Sequence, residues 1–99
     1  MRVVVTAVVG AVCFVFTLVR SLSCSLLETD FDQTWHGATA LLAGSDPYSV
    51  VGPGLAFDWP WPLLYPMPAM VLASPVSLLS LPMARAVFVA VGASLFTWA

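Results

Sequence analysis

Charge is scarce in this sequence, and lysine is absent altogether. Charged residues make up 8% of the chain, whereas about 25% is typical of globular proteins. A small soluble domain needs a polar surface larger than its core, and so few charges do not supply one. The cations are Arg2, Arg20 and Arg85, too few to neutralise a row of phosphates, so no nucleic-acid partner is expected.

Cysteine is rare as well. Cys13 and Cys24 lie on one predicted helix, about 16 Å apart at 1.5 Å per residue, which is beyond the reach of a disulfide. We interpret both as apolar packing residues. The sequence has no metal-ligand cluster, no phosphate-binding glycine loop and no nucleophile arrangement, so we predict neither a metal nor a cofactor.

Hydrophobic residues, at 61% of the chain, are what the sequence has in excess, and they form three segments. The first, 1–27, and the second, 61–81, reach the length of about 20 residues that a spanning helix needs. The third, 84–99, has no polar stop, so we expect a truncated helix in the N-terminal part of a longer protein. We predict an all-α polytopic membrane protein with about three transmembrane helices.

A signal peptide is the rival interpretation of the first segment. Arg2 precedes an apolar stretch, and the small residues of "SLSCS" around Cys24 resemble a cleavage region. The two apolar segments that follow favour a membrane protein that keeps this helix.

The arginines predict an orientation, because short loops rich in arginine stay in the cytoplasm. With the N-terminus cytoplasmic, three crossings place Arg2 and Arg85 inside and the loop 28–60 outside. Every acidic residue lies in that loop. We therefore predict a multi-pass protein of the cell membrane with an extracytoplasmic first loop.

An amphipathic helix is predicted over about 31–43, inside this loop. Phe31, Trp35, Ala38 and Leu42 recur at helical spacing and form one apolar face. Such a helix lies flat on the membrane with its aromatic face in the lipid interface. Thr29 or Asp30 can cap its start, and Gly44 can end it; Asp32 and His36 are one turn apart on another face.

Aromatic residues gather between this helix and the second segment, in "FDWPWPLLYP". A belt at the membrane interface explains most of them, and stacking on a sugar ring is the alternative for one. The members are Phe57, Trp59, Trp61 and Tyr65.

Three stretches together resemble glycosyltransferase family 87: "TDFDQTW", "ALLAGSDPY" and "LLYPMPAMVLASPVSLLSLPMARAVF". The family has an Asp-Phe pair after the first helix, a Gly-x-x-Pro-Tyr turn and a Tyr-Pro-Pro entry to the second helix. The similarity covers about residues 28–90 and departs from the pattern at Met67, where a second proline is usual. The resemblance implies a GT-C-like fold. It also implies three partners: the lipid bilayer, a donor in which a hexose, usually mannose, is linked to polyprenyl phosphate, and a lipid or glycan acceptor.

The resemblance also implies a catalytic residue, Asp30, which stands in the Asp-Phe pair. Its carboxylate would take the proton of the acceptor hydroxyl, because the phosphate leaving group of the donor needs no protonation. Without the resemblance, helix capping is the better interpretation of Asp30. The remaining candidates for substrate binding are Asp32, Trp35, His36, Tyr48, Tyr65 and Arg20.

Each candidate has a structural alternative. Asp32 can be a solvated residue of the first helical turn, and His36 can form a surface pair with it. Arg20 can be a cation near a helix end whose charged head reaches water, or it can face an anionic lipid phosphate. For the whole chain, the alternative to a glycosyltransferase is a small non-catalytic membrane protein or subunit.

Overall fold

The computed structural model describes residues 1–24 and 29–99, and within them the chain is mostly helical. The all-α prediction is confirmed at this coarse level. The described residues divide into two compact units, 1–24 with 82–99 and 29–81. The predicted boundary between the first helix and the loop, at residues 27 and 28, lies outside the described residues. The elements are α1 (Arg2–Ser23), α2 (Asp30–Leu42), α3 (Pro47–Val50), β1 (Val51–Gly52), β2 (Phe57–Asp58), α4 (Met67–Ser77) and α5 (Leu81–Trp98).

Helices α1 and α5 form the first unit, and both are long and apolar enough to cross a membrane. Their 22 and 18 residues extend about 33 and 27 Å at 1.5 Å per residue, close to the hydrocarbon thickness of about 30 Å. Large apolar side chains point outward along both helices, including Phe16, Leu22 and Phe96. In water, large apolar side chains are normally buried, so their exposure here agrees with a membrane location.

Small residues line most of the groove between α1 and α5. A Cβ atom added at Gly10 would collide with Ser94 Oγ and would lie 3.7 Å from the carbonyl oxygen of Ala90. Close approach through glycine, alanine and serine is how helices pack when lipid removes the hydrophobic driving force. The groove residues are Ala7, Gly10, Ala11, Ala90, Val91, Ser94 and Leu95.

The two helices run antiparallel. The guanidinium of Arg2, at the start of α1, lies 5.3 Å from the ring centroid of Trp98, at the end of α5. Arg85, near the start of α5, is therefore at the opposite end of the pair from Arg2. The prediction that these two arginines share one side does not hold for this pair, so the arginine bias no longer selects an orientation.

The second unit is built around the packing of α2 on α4. Gly37 permits close approach, because a Cβ atom there would lie 3.1 Å from Met70 Cγ. Ala38 and Met70 are fully buried at this contact. The core is formed by Ala38, Val51, Trp59, Leu63 and Met70.

A short loop with two paired strands covers one side of this core. β1 and β2 pair in parallel, with Val51 opposite Phe57 and Gly52 opposite Asp58. The turn between them needs Gly54, whose φ of 71° is in the left-handed region that favours glycine. The Asp58 carboxylate closes the turn by accepting a 2.9 Å hydrogen bond from the Gly54 N–H.

The segment 61–81 contains a helix shorter than predicted. Only Met67–Ser77 is helical before α5 begins, a length of about 16 Å at 1.5 Å per residue. Pro66 stands at the N-cap of α4 and Pro68 lies in its first turn, where the missing N–H costs nothing. Three crossings stay a prediction, since an 11-residue helix is about half the hydrocarbon thickness.

Candidate functional site

The start of α2 carries the predicted catalytic residue. Thr29 is the N-cap residue, and its hydroxyl donates a 2.8 Å hydrogen bond to Asp32 Oδ1. Asp30 follows as the first helical residue and is exposed. Capping by an Asp30 side chain is therefore a wrong interpretation, because the cap position belongs to Thr29 and carries no side-chain capping bond.

Asp32 has a different environment from the one expected. It is 2% exposed, so a solvated first-turn carboxylate is wrong for this residue. Gln33 and Thr34 are buried beside it in the chain. A buried carboxylate needs hydrogen-bond donors, and the Thr29 hydroxyl is one. The two acidic residues of this turn thus differ sharply in their access to solvent.

His36 lies in an aromatic stack that joins α2 to the loop after it. Its ring is 3.7 Å from the ring of Phe57 with an interplanar angle of 18°, and Phe57 in turn stacks on Trp59 at 5.6 Å. Trp35 meets the edge of the His36 ring at 4.9 Å. His36 and Phe57 are half-buried, so the stack holds the loop against α2.

Two aromatic side chains brace the proline-rich segment through their polar atoms. Trp35 Nε1 donates to the carbonyl oxygen of Leu79 at 3.2 Å, and the Tyr48 hydroxyl donates to that of Tyr65 at 2.7 Å. Tyr65 precedes Pro66, and Leu79 lies beyond the end of α4, so neither carbonyl is inside a helix. These bonds give Trp35 and Tyr48 structural roles that the sequence pattern does not reveal.

Arg20 belongs to the other unit, in the last turn of α1, where it is exposed. A cation there interacts favourably with the negative end of the helix dipole. The other predicted residues, from Asp30 to Tyr65, all belong to the unit 29–81. Within that unit, Trp35 and His36 adjoin and Tyr48 contacts the backbone of Tyr65.

Carboxylates elsewhere in this unit stabilise turns. Asp46 Oδ1 accepts from the Tyr48 N–H at 3.0 Å and so caps α3, as Asp58 closes the turn at Gly54. No group of three or more histidine, cysteine or acidic residues that could hold a metal ion occurs among the residues described. The groups that this unit offers for chemistry are the exposed carboxylate of Asp30 and, separately, half-buried aromatic rings.

The sequence motifs gave no signal for three of these features: the buried state of Asp32, the His36–Phe57 stack and the bonds that Trp35 and Tyr48 donate to backbone carbonyls. The stack and the two bonds join segments that are distant in the chain. Asp46 was recognisable in "SDPY", because Asp-Pro pairs commonly begin turns and helices. Comparison with known proteins finds no matching family model, no matching curated protein and no matching solved structure.

Proposed function

We propose that this chain is the N-terminal part of an integral-membrane glycosyltransferase of the GT-C type. It transfers a hexose, in our proposal mannose, from a polyprenyl-phosphate donor to a lipid or glycan acceptor at the outer face of the membrane. The donor class comes from the resemblance of residues 28–90 to family 87, and the outer location is part of our proposal. The chemistry assigned to individual residues is supported by the geometry of the unit 29–81.

The observation that carries the proposal is the exposure of Asp30. Among the carboxylates that the structure describes, Asp32 is buried, and Asp46 and Asp58 accept backbone N–H bonds that hold turns. Asp30 stands at the first position of α2, exposed and seven residues after α1 ends at Ser23. It is the described carboxylate best suited to act on a substrate.

Its position along the chain fits a lipid-linked donor. The polyprenyl tail holds the anomeric carbon close to the membrane surface. Seven residues extend at most about 25 Å, so a spanning α1 keeps Asp30 within that distance of the interface. At this distance from the membrane, the Asp30 carboxylate can contact the acceptor hydroxyl close to the anomeric carbon of the donor.

The proposed step is an inverting displacement. The Asp30 carboxylate accepts the proton of the acceptor hydroxyl while the oxygen attacks the anomeric carbon. The bond from that carbon to the phosphate oxygen breaks, and the polyprenyl phosphate leaves as an anion. Tyr65 and Trp61 expose aromatic surface that can stack on a sugar ring.

Asp30→Asn in the protein tests this assignment. Asparagine keeps the size of the side chain and removes its basicity, and general-base catalysis contributes about 10²–10⁴-fold. We expect sugar transfer from a polyprenyl-phosphate donor to fall by at least about 100-fold while protein abundance in the membrane is unchanged.

The matched control is Asp58→Asn. Asp58 is also exposed, and asparagine can still accept the bond from the Gly54 N–H, so transfer should stay near that of the unaltered protein. Equal transfer by Asp30→Asn and Asp58→Asn would contradict the role of Asp30 as base.

One observation favours the alternative of a non-catalytic membrane protein. Trp35 and Tyr48, both candidate binding residues, use their polar atoms to hold neighbouring backbone. On this alternative, the substitution Tyr48→Phe weakens the fold by about 1 kcal/mol and has no substrate to affect. Under the transferase proposal, the complete enzyme to which this chain belongs transfers the sugar, and absence of transfer by that enzyme decides for the alternative.

A further inference from the structure

Helix α4 has two apolar sides, and the unit 29–81 covers only one of them. Met70 and Ser77 are buried on the side that faces the core. On the other side, Leu72 is 81% exposed and Val71 is 55% exposed. The outer face consists of Pro68, Val71, Leu72 and Pro75.

This outer face continues into a larger apolar surface. Trp61 and Leu64, just before α4, and Leu78, just after it, are among the most exposed large side chains of the unit. The sequence has no charged residue between Asp58 and Arg85. A helix that is apolar all round is normally covered on every side, by protein or by lipid.

Of the two possible covers for α4, protein or lipid, the chain connection to α5 favours lipid. α5 begins at Leu81, four residues after α4 ends at Ser77, so the two helix ends are at most about 14 Å apart. α5 is long and apolar enough to cross a membrane. The C-terminal end of α4 is thereby tethered where α5 enters the bilayer.

The length of α4 decides how it meets the lipid. Its 11 residues span about 16 Å, half the thickness of the hydrocarbon core, so α4 does not cross it. Tryptophan and tyrosine are enriched at the level of the headgroups, and Trp61 and Tyr65 are exposed shortly before α4.

We propose that α4 lies in the interface of the bilayer, with its outer face of Pro68, Val71, Leu72 and Pro75 turned toward the acyl chains. The sequence predicted that α2 contacts the lipid through a face that includes Phe31 and Ala38, but both residues are buried. We therefore assign the lipid contact to α4 instead. Of the helices that the structure describes, α1 and α5 then cross the membrane and α4 does not. This inference does not depend on transferase activity.

Spin labelling tests the proposal. In a background in which both native cysteines, Cys13 and Cys24, are replaced by serine, single cysteines are introduced at Leu72, Ser77 and Ser45. Each variant carries a nitroxide and is reconstituted into vesicles of phosphatidylcholine and phosphatidylglycerol. Collision rates are measured with oxygen, which concentrates in lipid, and with a water-soluble nickel chelate.

Each position has its own expected result. Leu72→Cys should collide several-fold more with oxygen than with nickel, and Ser45→Cys, in an exposed polar turn, should show the reverse. Ser77→Cys is the folding control, since Ser77 is buried and should be shielded from both reagents. A shielded Ser77 label shows that the unit is folded in the vesicles.

Two results would overturn the proposal. A nickel-accessible Leu72 label beside a shielded Ser77 label would mean that the outer face is in water. A Leu72 label shielded from both reagents would mean that protein covers the face, for which a second copy of this chain is the simplest source.

Discussion

At the scale of single residues, the two acidic residues at the start of α2 have different roles. Asp32 is buried and accepts from the Thr29 hydroxyl, which fixes the first turn, whereas Asp30 is exposed and does not cap the helix. The two are only two positions apart, so their helical directions differ by about 200°. A fold that buries one of them leaves the other facing outward.

Asp32→Ala should destabilise the unit 29–81. Hydrogen bonds to a charged group contribute about 1.5–3 kcal/mol, and alanine also leaves the Thr29 hydroxyl without this acceptor. We expect the free energy of unfolding to fall by about 2 kcal/mol, measured by thermal denaturation in detergent. Asp30→Ala is the control; Asp30 is exposed and does not cap the helix, and a loss as large as that of Asp32→Ala would show that burial of Asp32 contributes little.

The sequence predicts the chemistry of this turn better than its geometry. The charge cluster, the helix and its start near Thr29 follow from local pattern, because capping and helical periodicity involve neighbours in the chain. Solvation of Asp32 was predicted wrongly, since burial is decided by contacts that local pattern does not contain. The same reason hides the stack of His36 on Phe57, which joins residues 21 positions apart.

At the scale of elements, α1 and α5 pack through small residues. A substitution of Gly10 tests this packing. Gly10→Leu would drive a side chain into Ser94 and the backbone of Ala90. Overpacking typically costs about 1–3 kcal/mol, so the thermal stability of the membrane-extracted protein should drop.

Gly92→Leu is the matched control for Gly10→Leu. Gly92 lies in α5, and a Cβ atom there meets nothing within 4 Å. The same change of residue should therefore leave stability nearly unaltered. Equal losses in the two variants would mean that the helices do not pack at Gly10.

Hydropathy identifies these two helices from the sequence but does not separate them from the segment 61–81. The predicted ranges 1–27 and 84–99 contain most of Arg2–Ser23 and Leu81–Trp98. The helix predicted over about 31–43 corresponds to Asp30–Leu42. The segment 61–81 is equally apolar, but its helix begins only at Met67, after Pro62 and Pro66. The apolar segment is therefore longer than the helix it contains.

At the scale of the whole molecule, the antiparallel pair has a simple topological consequence. α1 ends and α5 begins at the same end of the pair, so a membrane crossed by both leaves the two ends of the unit 29–81 on one side. This two-crossing arrangement is the central claim, and we propose that the unit 29–81 lies outside the cell.

Impermeant thiol labelling of intact cells tests this claim most directly. Single cysteines at Ser45 and Ser80, both exposed, are compared in a background without Cys13 and Cys24. Ser45 precedes α4 and Ser80 follows it, so a crossing through 61–81 would put them on opposite sides of the membrane. We expect both cysteines to react from outside before lysis. Labelling of Ser80→Cys only after lysis would establish a third crossing, and labelling of both only after lysis would reverse the orientation; either result contradicts the account.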